Sequence, residues 1–228
     1  MAERDLAVEM LLLGTVRHEN IVALEGAGRT DCGMRFLALE YLSRGTMSAM
    51  VSKRNKSLGV AAALPSAIQL ASALEHLHDR ALEGYMVIHR DLKPDNIAFS
   101  QDGCLKLMDF GLAKWPSSYF TYLTLTPIPL TRRMTGETGS PRYMSPEVAL
   151  NLPYNEKVDT YAFALIVWGL ICSQKPFQGM NPAMFHRCVI QMHERPPLSN
   201  KWDSELKELL SACWDVDHQK RLVKKEAS

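Results

Sequence analysis

Residues 89 to 96 read His89-Arg90-Asp91-Leu92-Lys93-Pro94-Asp95-Asn96, and Asp109-Phe110-Gly111 begins thirteen positions after Asn96. Within 21 residues the chain therefore offers two carboxylates (Asp91, Asp109), an ammonium (Lys93) and a side-chain amide (Asn96). That set suits phosphoryl transfer, in which catalysis is mainly positioning and charge neutralisation. One carboxylate accepts or orients a hydroxyl, and a lysine offsets charge on the migrating group. An amide oxygen and a second carboxylate hold magnesium, a hard cation that prefers oxygen donors.

These groups need elements to position them. Leu6, Met10 and Leu13 recur at i, i+4 and i+7, the period of an amphipathic helix, with Glu9 beside the stripe. Ile21 to Leu24 and Phe36 to Tyr41 are strand candidates separated by the turn-prone stretch Gly26 to Gly33. Ser43-Arg44-Gly45 breaks the pattern, and a helix is expected from Pro65 to about Arg80 with Pro65 at its start. Short strands, Ile97 to Phe99 and Leu105 to Met108, flank the motifs. Residues 115 to 140 are rich in Thr, Ser, Pro and Arg and lack periodicity, which marks a functional or disordered loop. Three further helices are expected: Lys157 to Ser173, Asn181 to His193 and Asp203 to Trp214.

Bulk properties narrow the class. With 46% apolar and 22% charged residues, the composition is that of an ordinary soluble protein, and 228 residues suffice for one large domain or two small lobes. A net charge of +1 supplies no global field for nucleic acid or an anionic membrane. The longest apolar stretch, Tyr161 to Cys172, falls short of the about 20 residues that span a bilayer. Met10 to Leu13 is too short for the core of a signal peptide. Cysteines at 32, 104, 172, 188 and 213 include no C-x-x-C pair, so neither a zinc ribbon nor a disulfide framework is indicated. Reduced thiols in the cytoplasm or nucleus are the simpler expectation. His76 and His78 stand at i and i+2 and share no helix face, so no metal pair is expected there. Lys220, Arg221, Lys224 and Lys225 are expected to form a solvated end rather than a nucleic-acid patch.

Together with Gly139-Ser140-Pro141-Arg142-Tyr143-Met144-Ser145-Pro146-Glu147 and the helix from Asp159 to Gly169, the two motifs resemble, in order and spacing, the eukaryotic protein kinases. The similarity is closest to the serine/threonine and tyrosine-kinase-like groups and runs from the first residues to the last. It implies an α+β, two-lobed fold: a partial small lobe over residues 1–42 and a mainly helical large lobe over 43–228. The catalytic loop would be 88–96 and the activation segment 109–147. It also implies ATP and magnesium as cofactors and a protein serine or threonine as acceptor.

By this resemblance Asp91 is the catalytic base, Lys93 contacts the γ-phosphate, and Asn96 and Asp109 bind magnesium. Lys93 in its Lys-Pro-x-Asn context favours serine/threonine acceptors, as does Ser140, whose counterpart hydroxyl pairs with the catalytic carboxylate. Glu9 takes the place of the small-lobe helix glutamate, and Leu39 that of the gatekeeper, followed by Glu40, Tyr41 and Leu42 as the hinge that touches adenine. Leu13, Leu24, His89 and Phe110 align with the apolar spine, and Gly111 closes the Asp-Phe-Gly motif. His89 is expected to pack beneath the catalytic loop rather than act as acid or base. Asp159 would hold the catalytic-loop backbone, and Arg221 would pair with Glu147. Thr135 and Thr138 are either activation-loop phosphosites, with Arg90 as a nearby cation, or solvated loop hydroxyls.

The departures matter as much. No G-x-G-x-x-G precedes Glu9 and no V-A-I-K-like segment occurs. In the family these supply the cover over the phosphates and the lysine that pairs with the helix glutamate. Ser145 replaces the alanine of Ala-Pro-Glu, and Leu222 follows Arg221 where proline is usual. The expectation is therefore a serine/threonine kinase domain present as an N- and C-terminally truncated fragment. A catalytically impaired pseudokinase or scaffold that binds partners through the large lobe competes with it. An aminoglycoside-type small-molecule kinase has no use for residues 139–147. Ala81 to Met86 lengthens the connection before Val87-Ile88-His89 without a functional account.

Overall fold

The computed structural model describes residues 2–52, 56–115 and 141–222. The chain is α+β, as expected, and forms two compact units: 1–53 with 64–119, and 54–63 with 120–228. These units divide the chain elsewhere than the lobe boundary expected at 42/43.

In the first unit, α1 (Ala2–Thr15) packs on β1 (Leu24–Arg29) and β2 (Arg35–Leu39). It buries Leu12 and Leu13, with Val16 just beyond, whereas Met10 is 39% exposed. The buried stripe is thus rotated from the expected Leu6-Met10-Leu13 line, because the two-stranded sheet covers one flank of the helix. β1 also departs from expectation. Ile21 makes only a parallel bridge to Leu107, and the strand begins at Leu24 and runs through Gly26 and Gly28. The glycines read as a turn, yet Gly28 pairs with Phe36, and a Cβ added there would lie 2.8 Å from Phe36 Cζ. The phenyl ring occupies the place of the missing side chain, so the ladder continues. The turn itself is Thr30 to Met34, where Thr30 N–H donates to Met34 O at 2.8 Å and Gly33 adopts φ +84°.

β3 (Gly45–Thr46), β4 (Ile97–Phe99) and β5 (Leu105–Leu107) form an antiparallel sheet in that order. α2 (Met47–Ser52), which the sequence pattern did not suggest, is started by Thr46 Oγ1 accepting from Ala49 N–H at 3.2 Å. α3 (Val60–Asp79) starts five residues before the expected Pro65; its residues from Leu64 onward belong to the first unit. Pro65 leaves the Ala61 carbonyl without an intrahelical partner. Ala61 is exposed, so the missing bond lies on the solvated side of the chain and the helix continues.

In the second unit, α4 (Pro146–Ala149) precedes α5 (Lys157–Cys172), which is buried on nearly every side and packs on α7 (Ser204–Cys213). Ser173 closes α5 in a left-handed conformation (φ 51°), and Gln174 N–H returns to Gly169 O at 3.1 Å. The helix expected from Asn181 to His193 is instead a short α6 (Pro182–Phe185) continued by a π-helical turn, His186–Gln191. Phe185, Val189 and Ile190 form a local core with Phe177. Among the described residues no helix is long and apolar enough to cross a membrane.

Candidate active site

The first unit brings the motif residues together. Pro94 opens the single 3-10 turn Pro94–Asn96 between the loop and β4, and Asn96 is buried there. Met108 N–H donates to Asn96 O at 3.0 Å, which ties the amide residue to the segment just before Asp109. Asn96 Nδ2 donates to Asp91 O (2.9 Å) and Asp91 Oδ2 (3.2 Å), and Lys93 Nζ lies 2.7 Å from the same Oδ2. An ammonium and an amide thus converge on one carboxylate oxygen. The contact with Asp91 commits the amide nitrogen and leaves the Asn96 amide oxygen as the atom able to ligate a cation.

Arg90 (φ 72°) and Asp109 (φ 66°) both adopt left-handed backbone, a cost that side-chain-bearing residues bear where the surroundings fix them. His89 supplies part of that fixing. Its Nδ1 accepts from Asp91 N–H at 3.3 Å, which assigns the proton to Nε2, and Nε2–H donates to Met108 O at 3.1 Å. The His89 and Phe110 rings are both buried, with centroids 4.9 Å apart. Leu13 is buried as well, and Leu24 is half-buried. Ile88 and Lys114 exchange backbone hydrogen bonds (2.7 and 3.0 Å), fastening the stretch after Gly111 to the catalytic loop.

Glu9 enters from α1. Its Oε1 accepts from Phe110 N–H at 3.2 Å. Burial pushes its carboxyl above the ordinary range, the Phe110 N–H opposes that shift, and the Asp109 charge adds to it. Gly111 lies close to the same helix: a Cβ there would meet Asp5 Cβ at 3.3 Å.

The hinge residues are placed less directly. Leu39 and Leu42 are half-buried and Tyr41 is 86% exposed. The Glu40 carboxylate turns inward: Oε1 accepts from Ala23 N–H at 2.8 Å and meets Lys106 Nζ at 2.8 Å. Its side chain is therefore committed to the residue before β1 and to β5, and only its backbone suits an adenine contact. Sequence reasoning missed Lys106. It stands three residues before Asp109 in a short strand, with nothing to distinguish it from a solvated lysine.

In the second unit Arg221 makes a buried two-pronged contact with Glu147, Nη2 to Oε2 at 2.9 Å and Nη1 to Oε1. Its Cζ lies 4.9 Å from the centroid of the Tyr161 ring. Asp159 is buried in the first turn of α5. Ser140, Thr135, Thr138, Lys224 and Lys225 lie outside the described residues.

Among the described residues no three His, Cys, Asp or Glu side chains converge as a self-sufficient metal site. An amide oxygen and a carboxylate nevertheless fit a small hard cation whose remaining positions are filled by water and phosphate oxygens. Asn96 and Asp109 offer these two kinds of oxygen donor, whereas the Lys93 ammonium can only donate to an anion.

A family model described as protein kinase domain matches residues 1–228. A probable serine/threonine-protein kinase of Dictyostelium discoideum is 34% identical over 213 residues, 93% of this chain and 21% of that protein. The serine/threonine/tyrosine-protein kinase HT1 of Arabidopsis thaliana is 30% identical over 220 residues, covering 96% of this chain and 52% of its own. The serine/threonine-protein kinase VIK of the same plant is 34% identical over 223 residues, covering 96% and 48%. The chain thus spans about half or less of the length of these relatives.

Proposed function

The chain belongs to the protein kinase family, and from that premise we propose that it transfers the γ-phosphate of ATP to serine or threonine hydroxyls of protein substrates. Asp91 orients the acceptor hydroxyl and takes its proton. Lys93, paired with Asp91 at 2.7 Å, offsets charge on the migrating phosphoryl group. Asn96 and Asp109 hold magnesium, which when bound neutralises phosphate oxygens. The Leu39–Leu42 stretch receives adenine, and the Lys-Pro-x-Asn context of Lys93 supports serine/threonine acceptors. Five free cysteines support a reducing setting, cytoplasm or nucleus.

The observation that carries this reading is the convergence of Lys93 and Asn96 on Asp91. Its test is transfer of label from magnesium and γ-labelled ATP to a mixed protein substrate, followed by phosphoamino-acid analysis. Asp91→Asn should remain folded by circular dichroism and lose about 10²-fold or more in rate. Equal labelling by the variant, or label on tyrosine alone, overturns the reading.

A second reading is a binding module with impaired transfer. Magnesium-dependent ATP binding without turnover, together with partner binding indifferent to Asp91 and Asp109, supports that alternative.

A further inference from the structure

We propose that His18 and His76 form a proton-sensitive latch that fastens the α1–β1 turn to α3 and β5 while both rings are neutral and releases it on protonation. The two rings stack across the turn and α3, with centroids 4.8 Å apart and planes 24° apart. His18 Nδ1 accepts from Asn20 N–H at 3.0 Å. A backbone N–H only donates, so Nδ1 must keep its lone pair, and the neutral ring carries its proton on Nε2. Nε2 lies 3.2 Å from Ser72 Oγ on α3, a hydroxyl able to accept that proton's bond. Both ring nitrogens of His18 are thus used by the neutral form. A second proton sets N–H against N–H at Asn20 and places a cation against the His76 ring.

The surroundings do not rescue the charged state. Glu19 in the same turn and Glu75 on α3 favour a charge on His18, while Arg80 on α3 and Lys106 on β5 oppose it. Glu75 is already paired with Arg80 at 3.0 Å, and Glu40 holds Lys106. Arg17, two residues after α1, is turned to the Leu13 and Val16 carbonyls. The Cys104 thiol, raised by burial, stays neutral over this range. His78 lies two residues from His76, on a different helix face. Burial, first, holds both imidazoles below the ordinary histidine value, and His76 feels His18 as a further opposing charge.

What the latch holds is β5. Buried Asn20 donates from Nδ2 to Leu105 O at 3.1 Å, and its own carbonyl accepts from Leu107 N–H at 2.9 Å. Val22 N–H adds a bond to Leu107 O at 2.9 Å. Leu107 ends the strand two residues before Asp109. Release of the turn therefore frees the strand end that carries the cation-binding carboxylate. The latch itself needs no phosphotransfer to operate.

The sign follows from the direction of the shifts. A histidine whose folded pKa lies below its unfolded value contributes fully above the ordinary 6.5, and that contribution is lost as pH falls from there towards the folded values. The test is NMR titration of the imidazoles in the full chain, with nitrogen shifts to read the tautomer, alongside melting temperatures at pH 7.5 and 5.5. We expect both rings to titrate below 6.5, Nδ1 of His18 to be unprotonated, and protection of the Asn20 and Leu107 amides to fall on acidification. His76→Gln should at least halve the acid-induced fall in melting temperature, and His18→Gln, which still accepts from Asn20 N–H, should do the same. Midpoints at or above 6.5, a proton on Nδ1 of neutral His18, or an unchanged acid response in both variants would overturn the latch. Should one variant fail to fold, the other and the wild-type titration decide it.

Discussion

Glu9 Oε1 accepts a hydrogen bond from the backbone N–H of Phe110 at 3.2 Å, joining α1 to the residue after Asp109. The contact fixes the peptide that sets the direction of the Asp109 side chain. It also places two carboxylates near each other, and the Asp109 charge adds to the burial that already raises the Glu9 carboxyl. The Asp109 charge thus disfavours a second negative charge on Glu9.

Glu9→Gln tests this balance. An acid with a raised folded pKa destabilises the fold as pH climbs from its ordinary value of 4.5 through the folded value. The amide oxygen of glutamine still accepts from Phe110 N–H but carries no charge. The variant should therefore melt at or above the wild-type temperature at pH 7, and the difference should vanish as pH falls to about 4. A lower melting temperature for Glu9→Gln at pH 7 would show that the charge is stabilising.

Asn96 offers a sharper contrast. Asn96→Ala removes the donor to Asp91 and should cost about 1–3 kcal/mol in urea unfolding. Asn96→Asp is nearly isosteric but puts an acceptor where Nδ2 now lies 3.2 Å from Asp91 Oδ2. It should be less stable than Asn96→Ala at pH 7, because it sets two acceptors against each other. Equal stability of the two variants at pH 7 would mean that the amide does not hold Asp91.

The clustering of Lys93 and Asn96 on Asp91 was legible because His89 to Asn96 is a contiguous run whose partners sit a few residues apart. The short loop that bears them leaves Lys93 and Asn96 little choice but to meet Asp91. What escaped the one-dimensional pattern depends on partners far along the chain. Gly26 and Gly28 read as a turn until Phe36, across the sheet, covers the gap. Pro65 reads as a helix start because the pattern does not reveal that Ala61, one turn earlier, is exposed. Lys106 and Glu40, or His18 and His76, acquire meaning only when strand pairing and the α3 face bring them together.

Lys106 and Glu40 should be energetically coupled. Both side chains are largely buried, and Glu40 Oε1 accepts from Lys106 and from Ala23 N–H at once. Lys106→Met leaves the carboxylate with one donor, whereas Glu40→Gln keeps an acceptor for Ala23. A double-mutant cycle read by urea unfolding should give a coupling of about 1 kcal/mol. Strict additivity would mean that solvent screens the pair.

Arg221 and Glu147 form the most deeply buried ion pair among the described residues, with the guanidinium also over the Tyr161 ring. Burial pushes the Tyr161 phenol up to about 12, although the Arg195 and Arg221 charges pull it down. Removing one member of such a pair strands the other charge, which typically costs about 3–5 kcal/mol. Arg221→Ala should therefore unfold the second unit at markedly lower urea. Arg221→Lys should recover little, since an ammonium does not reproduce two parallel bonds to Oε1 and Oε2. The double variant Arg221→Met with Glu147→Leu removes both charges and should be more stable than Arg221→Ala alone, because no carboxylate is left unpaired. A double variant no better than Arg221→Ala would assign the loss to the Tyr161 contact and the bond from Arg221 Nε to Asp215 O at 2.9 Å rather than to the stranded carboxylate.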